Sequence, residues 1–270
     1  TYKIYSKASR TLVPLFFILV LVIQISCTDD ESFTKSPTAI LSFPCDTLKL
    51  DTAISGIATS TYSFVIRNHN SQGIKIVKAS LDNGEASGFQ VAVDGVNIND
   101  SYNHAIEVRK KDSITVYVKL KTKENNDDAV RTVSDKISFM LESGTIQTVT
   151  LLGYSQDVNT LSNLVIEKDT VLQSTRPFHV LGNLKVAEGK TLSIAPGTVL
   201  LFSPTSEMIV DGTLKALGTL DSAIVFRGDR LDHMFTNQPY DRIAGQWKGI
   251  TFTSTSFYNT FDFCDIHSGC

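Results

Sequence analysis

The sequence predicts an all-β protein built as a β-sandwich followed by a solenoid of short strands. Three observations carry the prediction. Val and Ile recur in short runs among plentiful Ser and Thr, and long Ala/Glu/Lys/Leu-rich stretches are missing, which favours strands over helices. Through the first half, apolar and polar residues alternate with period two, the pattern of a strand with one buried face. In the second half, Gly-containing phrases return at intervals, the mark of stacked structural repeats.

Bulk composition sets the frame. The 270 residues are 42% hydrophobic and 20% charged, enough for about two domains. Net charge is −3, and residues 1–26 carry Lys3, Lys7 and Arg10 with no acid, so the remainder stands near −3 − 3 = −6. A mildly acidic surface argues against nucleic acid as a partner, which would need a basic patch.

Residues 1–26 read as an export signal. Thr1–Arg10 is a positive leader, Leu12–Ile23 is apolar and includes Pro14, and Ser26 is a small residue ahead of Cys27. Twelve apolar residues are too few to cross a hydrocarbon layer of about 30 Å as a helix. The Ser26-Cys27 junction resembles the lipobox of bacterial lipoproteins, with Gln24 where that family usually has Leu. The resemblance implies cleavage after Ser26 and diacylation of the Cys27 sulfur, so that the lipid bilayer becomes a partner. Two or more acyl chains anchor firmly where one binds only marginally. Residues 27–37 read as a polar tether. Its acidic opening, Thr28-Asp29-Asp30-Glu31, is similar to the export tag of surface lipoproteins in one phylum of Gram-negative anaerobes. The similarity implies an outer-membrane, outward-facing location. Because the chain opens on Thr, at least one residue is expected to precede it.

Residues 38–156 read as the sandwich. Tyr62, Phe64 and Ile66 alternate with polar positions, as do Phe89, Val91 and Val93, and then Ile114, Val116, Val118 and Leu120. Ile137, Phe139 and Leu141 follow, then Val149 and Leu151. Turn-rich stretches separate them at Asn68–Gly73, Asp82–Gly84, Asp94-Gly95, Thr122–Asp128 and Glu142–Gly144. The ordered phrases Phe64-Val65-Ile66-Arg67-Asn68, Gly73-Ile74-Lys75-Ile76, Gly88-Phe89-Gln90-Val91, Ser113–Val118 and Leu151-Leu152-Gly153 resemble the hydin-type immunoglobulin-like domains. That family implies a spacer or interaction module with no catalytic residues. His69 and His104 fall in turns. Lys123–Asp128 lacks the Asp-x-Asp-x-Asp-Gly spacing of a calcium loop and reads as a solvated hairpin tip.

Residues 157–270 read differently. Gly182-Asn183-Leu184, Gly197-Thr198-Val199 and Gly212-Thr213-Leu214 recur fifteen residues apart, and His179–Ile194 matches Ile209–Ile224 at thirty. Leu192–Val199, Ile209–Thr219, Ala223–Phe226 and Gly245–Ile250 together resemble the opening coils of a right-handed parallel β-helix. The full prediction is therefore an immunoglobulin-like β-sandwich followed by a partial right-handed parallel β-helix, with further coils expected after residue 270. Cys45, Cys264 and Cys270 make an odd set once Cys27 is lipidated, so a disulfide framework is not expected. A Cys264–Cys270 bridge and free buried thiols both remain open.

Chemistry, if present, concentrates in Arg227–Ala244, the one insertion between coils. Asp229, Asp232, His233 and Asp241 make it a candidate ligand loop. Glycan-cleaving β-helices use paired carboxylates, or a calcium with a basic residue that abstracts a proton. The competing reading is an excursion held by ion pairs. Trp247 could stack a sugar or pack inside. The sequence contains no Gly-x-Ser-x-Gly, phosphate-loop, zinc or dinucleotide motif, and no metal or cofactor is expected. The expectation is a surface lipoprotein binding a glycan or protein without catalysis. The alternatives are a β-helical polysaccharide lyase or hydrolase with active coils beyond residue 270, and a structural envelope protein.

Overall fold

The computed structural model describes residues 31–99, 105–235 and 237–270. The export signal, Cys27 and His104 lie outside the described residues. The fold is all-β, with only two short 3-10 turns among the described residues.

The first domain comprises β1 (Thr47–Ile54), β2 (Tyr62–Arg67), β3 (Ile74–Leu81), β4 (Phe89–Val93), β5 (Val96–Asn97), β6 (Ile106–Val108), β7 (Ser113–Leu120), β8 (Arg131–Leu141) and β9 (Ile146–Gln156). They form two sheets, ordered β1-β9-β8-β3-β6 and β2-β7-β4-β5. The alternating residues face one another across one core: Ile66, Val91, Val116 and Leu120 from one sheet, Ile76, Ile137, Phe139 and Leu151 from the other. Each such side chain contributes about 1.5–3 kcal/mol relative to exposure. Strand β1 joins β9 in parallel register, a pairing with no signature in the local sequence.

Asn68 explains why the Phe64–Asn68 phrase ends as it does. It is 1% exposed. Its side-chain amide donates to the carbonyls of Gln72, Val108 and Arg109 at 2.9–3.0 Å, while its Oδ1 accepts from Asn70 N. A buried polar group holds its place only when satisfied in this way.

The tether expected over 27–37 ends earlier than its polarity suggests. From Glu31 onward the segment is docked on the sandwich. Glu31 accepts from Lys110 N, Thr34 N donates to Gly73 O, and Phe33 bridges to Gly73. The reason is the single aromatic in the stretch, whose ring lies 4.5 Å from Lys75 Nζ.

The second domain comprises β10 (Asn159–Ile166), β11 (Thr170–Leu172), β12 (Phe178–Val186), β13 (Thr191–Ile194), β14 (Val199–Phe202), β15 (Glu207–Val210), β16 (Thr213–Leu217), β17 (Ile224–Gly228), β18 (His233–Phe235), β19 (Gln238–Pro239), β20 (Ile250–Phe252), β21 (Thr260–Asp262) and β22 (Cys264–Ile266). Among the described residues, every strand pairing here is parallel apart from the small antiparallel β18–β19 ribbon, with one isolated antiparallel bridge at Thr219–Ser222. Like residues stack: Phe178 on Leu200 and Phe226, Leu192 on Leu214, Leu184 on Met208. All of these are buried.

The coil length corrects the repeat read from the sequence. Thr170 pairs with Leu192 and Thr191 with Thr213, so on this face one coil takes 22 residues rather than fifteen or thirty. The thirty-residue match set Leu184 against Leu214. In the fold, Leu184 stacks on Met208 while Leu214 stacks on Leu192 in a different sheet. Every face of a coil uses the same glycine-turn and apolar-strand vocabulary, so sequence similarity matched one face to another.

Gly182 is a corner. It divides β12 into a half paired with β14 and a half paired with β15. It adopts φ +77°, and a Cβ there would sit 2.2 Å from Asn163 Oδ1. Asn163, at φ 45°, makes the same corner one coil below. Gly and Asn are the residues that tolerate this conformation.

Of the two cysteine readings, free thiols match the structure, without the full burial expected of them. Cys45, Cys264 and Cys270 are all free, and none is fully buried; Cys270 is exposed.

Candidate functional site

The insertion between coils is where the sequence placed it. Lys215 pairs with Thr260, 45 residues on, and Ile224 with Cys264, 40 residues on, against 19 to 26 for the earlier pairings. Its course differs from an open ligand loop. His179 and Leu201 occupy outward positions on the solenoid sheet, paired with one another, yet each is only 2% exposed. Asp229 Oδ2 meets His179 Nε2 at 3.1 Å, so the start of the insertion folds back over its own coils.

Asp232 turns the other way, toward the sandwich. Arg230 grips both of its oxygens at 2.7 and 2.6 Å, and the Ser60 hydroxyl donates to it at 2.5 Å. Burial alone would raise the Asp232 carboxyl. The Arg230 guanidinium and the Ser60 hydroxyl outweigh burial and hold it below the ordinary aspartate range. Arg230 also lies over the Tyr240 ring, 3.8 Å from its centroid, a cation–π contact that fixes the guanidinium plane. Next along the chain, His233 N and Nδ1 engage the Asp51 carboxylate of β1 at 2.9 and 3.0 Å. Tyr62 donates to the same carboxylate at 2.7 Å. Burial and the Asp51 carboxylate push the Tyr62 phenol far above its usual range, so it stays a neutral donor.

The fourth candidate, Asp241, pairs with Arg227 at 3.5 Å, and Arg227 also donates to the Arg230 carbonyl at 2.7 Å. The four predicted residues thus serve different partners. Asp229 and Asp232, which a catalytic reading would need together, point to opposite domains, and His233 joins neither. The ion-pair reading of the insertion matches these contacts. Trp247 packs inside: it is 1% exposed, stacks on Phe202 at 4.2 Å, and donates to the His267 carbonyl.

A second set of contacts joins the domains near the chain crossing, and here the hairpin-tip expectation needs correction. Asp157 is 2% exposed. It accepts from the Ser55 hydroxyl and from the backbone N–H groups of Asn125 and Asp127. Burial would raise its carboxyl, and those three donors hold it below the ordinary range. Asp128 binds Arg176 at 2.6 Å and Thr175 at 2.8 Å. The Lys123–Asp128 run is therefore a strap between domains. Glu124 and Asp128 pair with Arg176, Asp128 also with Thr175, and Asp127 accepts from Ala129 N; among the described residues no group of His, Cys, Asp and Glu is arranged to hold a metal ion. Sequence reasoning missed Asp51, Ser60, Asp157 and Arg176. Partners as much as 182 residues apart leave no local signal.

A separate concave surface lies on the outer face of β2-β7-β4-β5. It encloses about 860 Å³, lined among others by Gln90, Ala92, Tyr117, Lys119, Lys121 and Lys123. Gly88 shapes one end. Its φ of +79° carries β4 toward β7, and a Cβ there would meet the Lys121 carbonyl at 2.6 Å.

No family model matches the chain, and no curated protein matches it. Among solved structures, a family 123 glycoside hydrolase from Clostridium perfringens, described for glycolipid glycan hydrolysis, is similar over 43% of this chain at 11% identity and TM-score 0.32. That match covers 26% of the hydrolase, so the chain spans about a quarter of its length. The ASH/PapD-like domain 7 of human CEP192 is similar over 46% of this chain and 90% of its own length, at 11% identity and TM-score 0.28. Neither score reaches the level at which a shared fold is established.

Proposed function

We propose that this chain is an exported lipoprotein, anchored through acylated Cys27 and facing outward from the outer membrane. It serves there as a non-catalytic arm that binds a glycan or a surface protein. The observation that carries the reading is the double clamp at the domain junction. It commits the polar residues of the insertion to architecture and makes one stiff arm of an immunoglobulin-like spacer and a right-handed parallel β-helix. The parallel strand pairings, with a spacing of 22 residues on the β11-β13-β16 face, support the β-helix part. A stiff arm holds a binding face at a fixed distance and orientation from its anchor, which lowers the entropy lost on capture.

The test is a Cys27→Ala variant compared with the parent by membrane fractionation and by protease shaving of intact cells. The parent should partition with the outer membrane and be shaved, and the variant should lose membrane association. Unchanged association of the variant, or protection of the parent from protease, contradicts the anchor and its orientation.

A further inference from the structure

The concave face of the four-stranded sheet carries chemistry that the junction does not use. We infer that it binds an acidic polysaccharide, a proposal that rests on the binding function above and gives that function its site and ligand class.

Charge comes first. Lys119, Lys121 and Lys123 occupy successive outward positions along and just beyond β7, and all three are exposed. Alternate positions on a strand lie about 6.5–7 Å apart, so the ammonium groups form a row. Among the described residues no carboxylate pairs with them, and Glu85 is the one acid lining the groove. The row stands on a chain whose net charge is −3. An unpaired cationic strip on an acidic protein is complementary to a ligand carrying negative charges at intervals.

The neighbouring groups specify the rest of the ligand. Tyr117 is 45% exposed. Its cross-strand neighbours are Ala92 on one side and Ser63 on the other, small residues that leave the ring uncovered. An uncovered phenol ring offers an apolar plate to the C–H face of a pyranose. Gln90 pairs across from Lys119, and among the described residues its amide has no protein partner. It is free to donate to and accept from sugar hydroxyls. Single-stranded nucleic acid fits less well. It calls for successive stacking rings along the groove, and the lining offers one such exposed ring and no arginine.

The experiment uses affinity electrophoresis of the full chain in gels cast with polygalacturonate, with neutral dextran and a single-stranded oligonucleotide as comparisons. Polygalacturonate should retard the protein, dextran should not, and added salt should weaken the retardation. The double variant Lys119→Gln/Lys121→Gln should bind at least about tenfold more weakly, the scale of one lost charge-assisted contact. Tyr117→Ala should cost about fivefold. These residues are exposed, and an unchanged far-UV circular dichroism spectrum and urea midpoint would verify that each variant is folded.

Absence of retardation by polygalacturonate overturns the proposal. So does retardation that survives in the lysine variant, or an oligonucleotide that binds as tightly as the polysaccharide. Retardation untouched by all groove variants removes this site while leaving glycan binding by the arm in place. Failure of the Cys27→Ala test removes the anchor and leaves the groove standing.

Discussion

Asp232 shows how a single side chain sets the domain junction. Its carboxylate neutralises Arg230 and receives Ser60 from the other domain, so removing it leaves a cation unpaired above Tyr240. Asp232→Ala should destabilise the protein by about 1–3 kcal/mol, read from urea denaturation followed by the fluorescence of Trp247, the sole tryptophan. An unchanged midpoint would mean the contact contributes nothing. Asp232 and Asp157 also predict a pH dependence. Both carboxyls are held below the ordinary range. Their contribution is therefore complete above the unfolded aspartate value of about 3.9 and is lost as pH falls through the lower folded values. The radius of gyration from small-angle scattering should stay flat from neutral pH down to about 5 and grow below about 4. Expansion already in progress near pH 6, or none by pH 2, would contradict this assignment.

At the scale of elements, strands were legible wherever their alternation was clean. β2, β4 and β7 fall on the alternating runs around Phe64, Val91 and Val116. β1 was not singled out, because its role comes from parallel pairing with β9, about a hundred residues away. The parallel strands of the second half were legible as a repeat but misread in period, since glycine turns and apolar strands look alike in all three sets of paired strands. Gly182 is the clearest test of the corrected register. Gly182→Ala forces a Cβ into φ +77° against Asn163 and should cost about 2 kcal/mol or more. Asn163→Gly in the same background should recover part of that loss, because it removes the opposing side chain. A fully stable Gly182→Ala protein would contradict the stacked corners.

At the scale of the molecule, two cores of different construction are joined by two sets of polar contacts, one around Asp51 and Asp232 and one between Asp128 and Arg176. The insertion was legible as an element, but the partners of Asp229, Asp232, His233 and Asp241 were not. Insertion length and polarity are written in the sequence of residues 227–244, whereas the partners Asp51 and Ser60 are supplied by a domain folded far upstream. The same limit hid the Lys119–Lys123 row, whose meaning depends on which residues flank it across the sheet. The upper coil also presents apolar surface: Phe252 and Phe261 meet edge-on with centroids 6.1 Å apart, and both remain partly exposed.

The clamped arm is the central claim, and two-probe unfolding tests it directly. Trp247 lies in the second core, and the first domain has no tryptophan. Fluorescence therefore follows one domain while far-UV circular dichroism follows the strands of both. In urea the two signals should change together in a single cooperative transition, and they should separate in the Asp51→Ala/Asp232→Ala variant. Two separate transitions in the parent protein, unmoved by those substitutions, would show that the domains are independent and that the junction holds nothing.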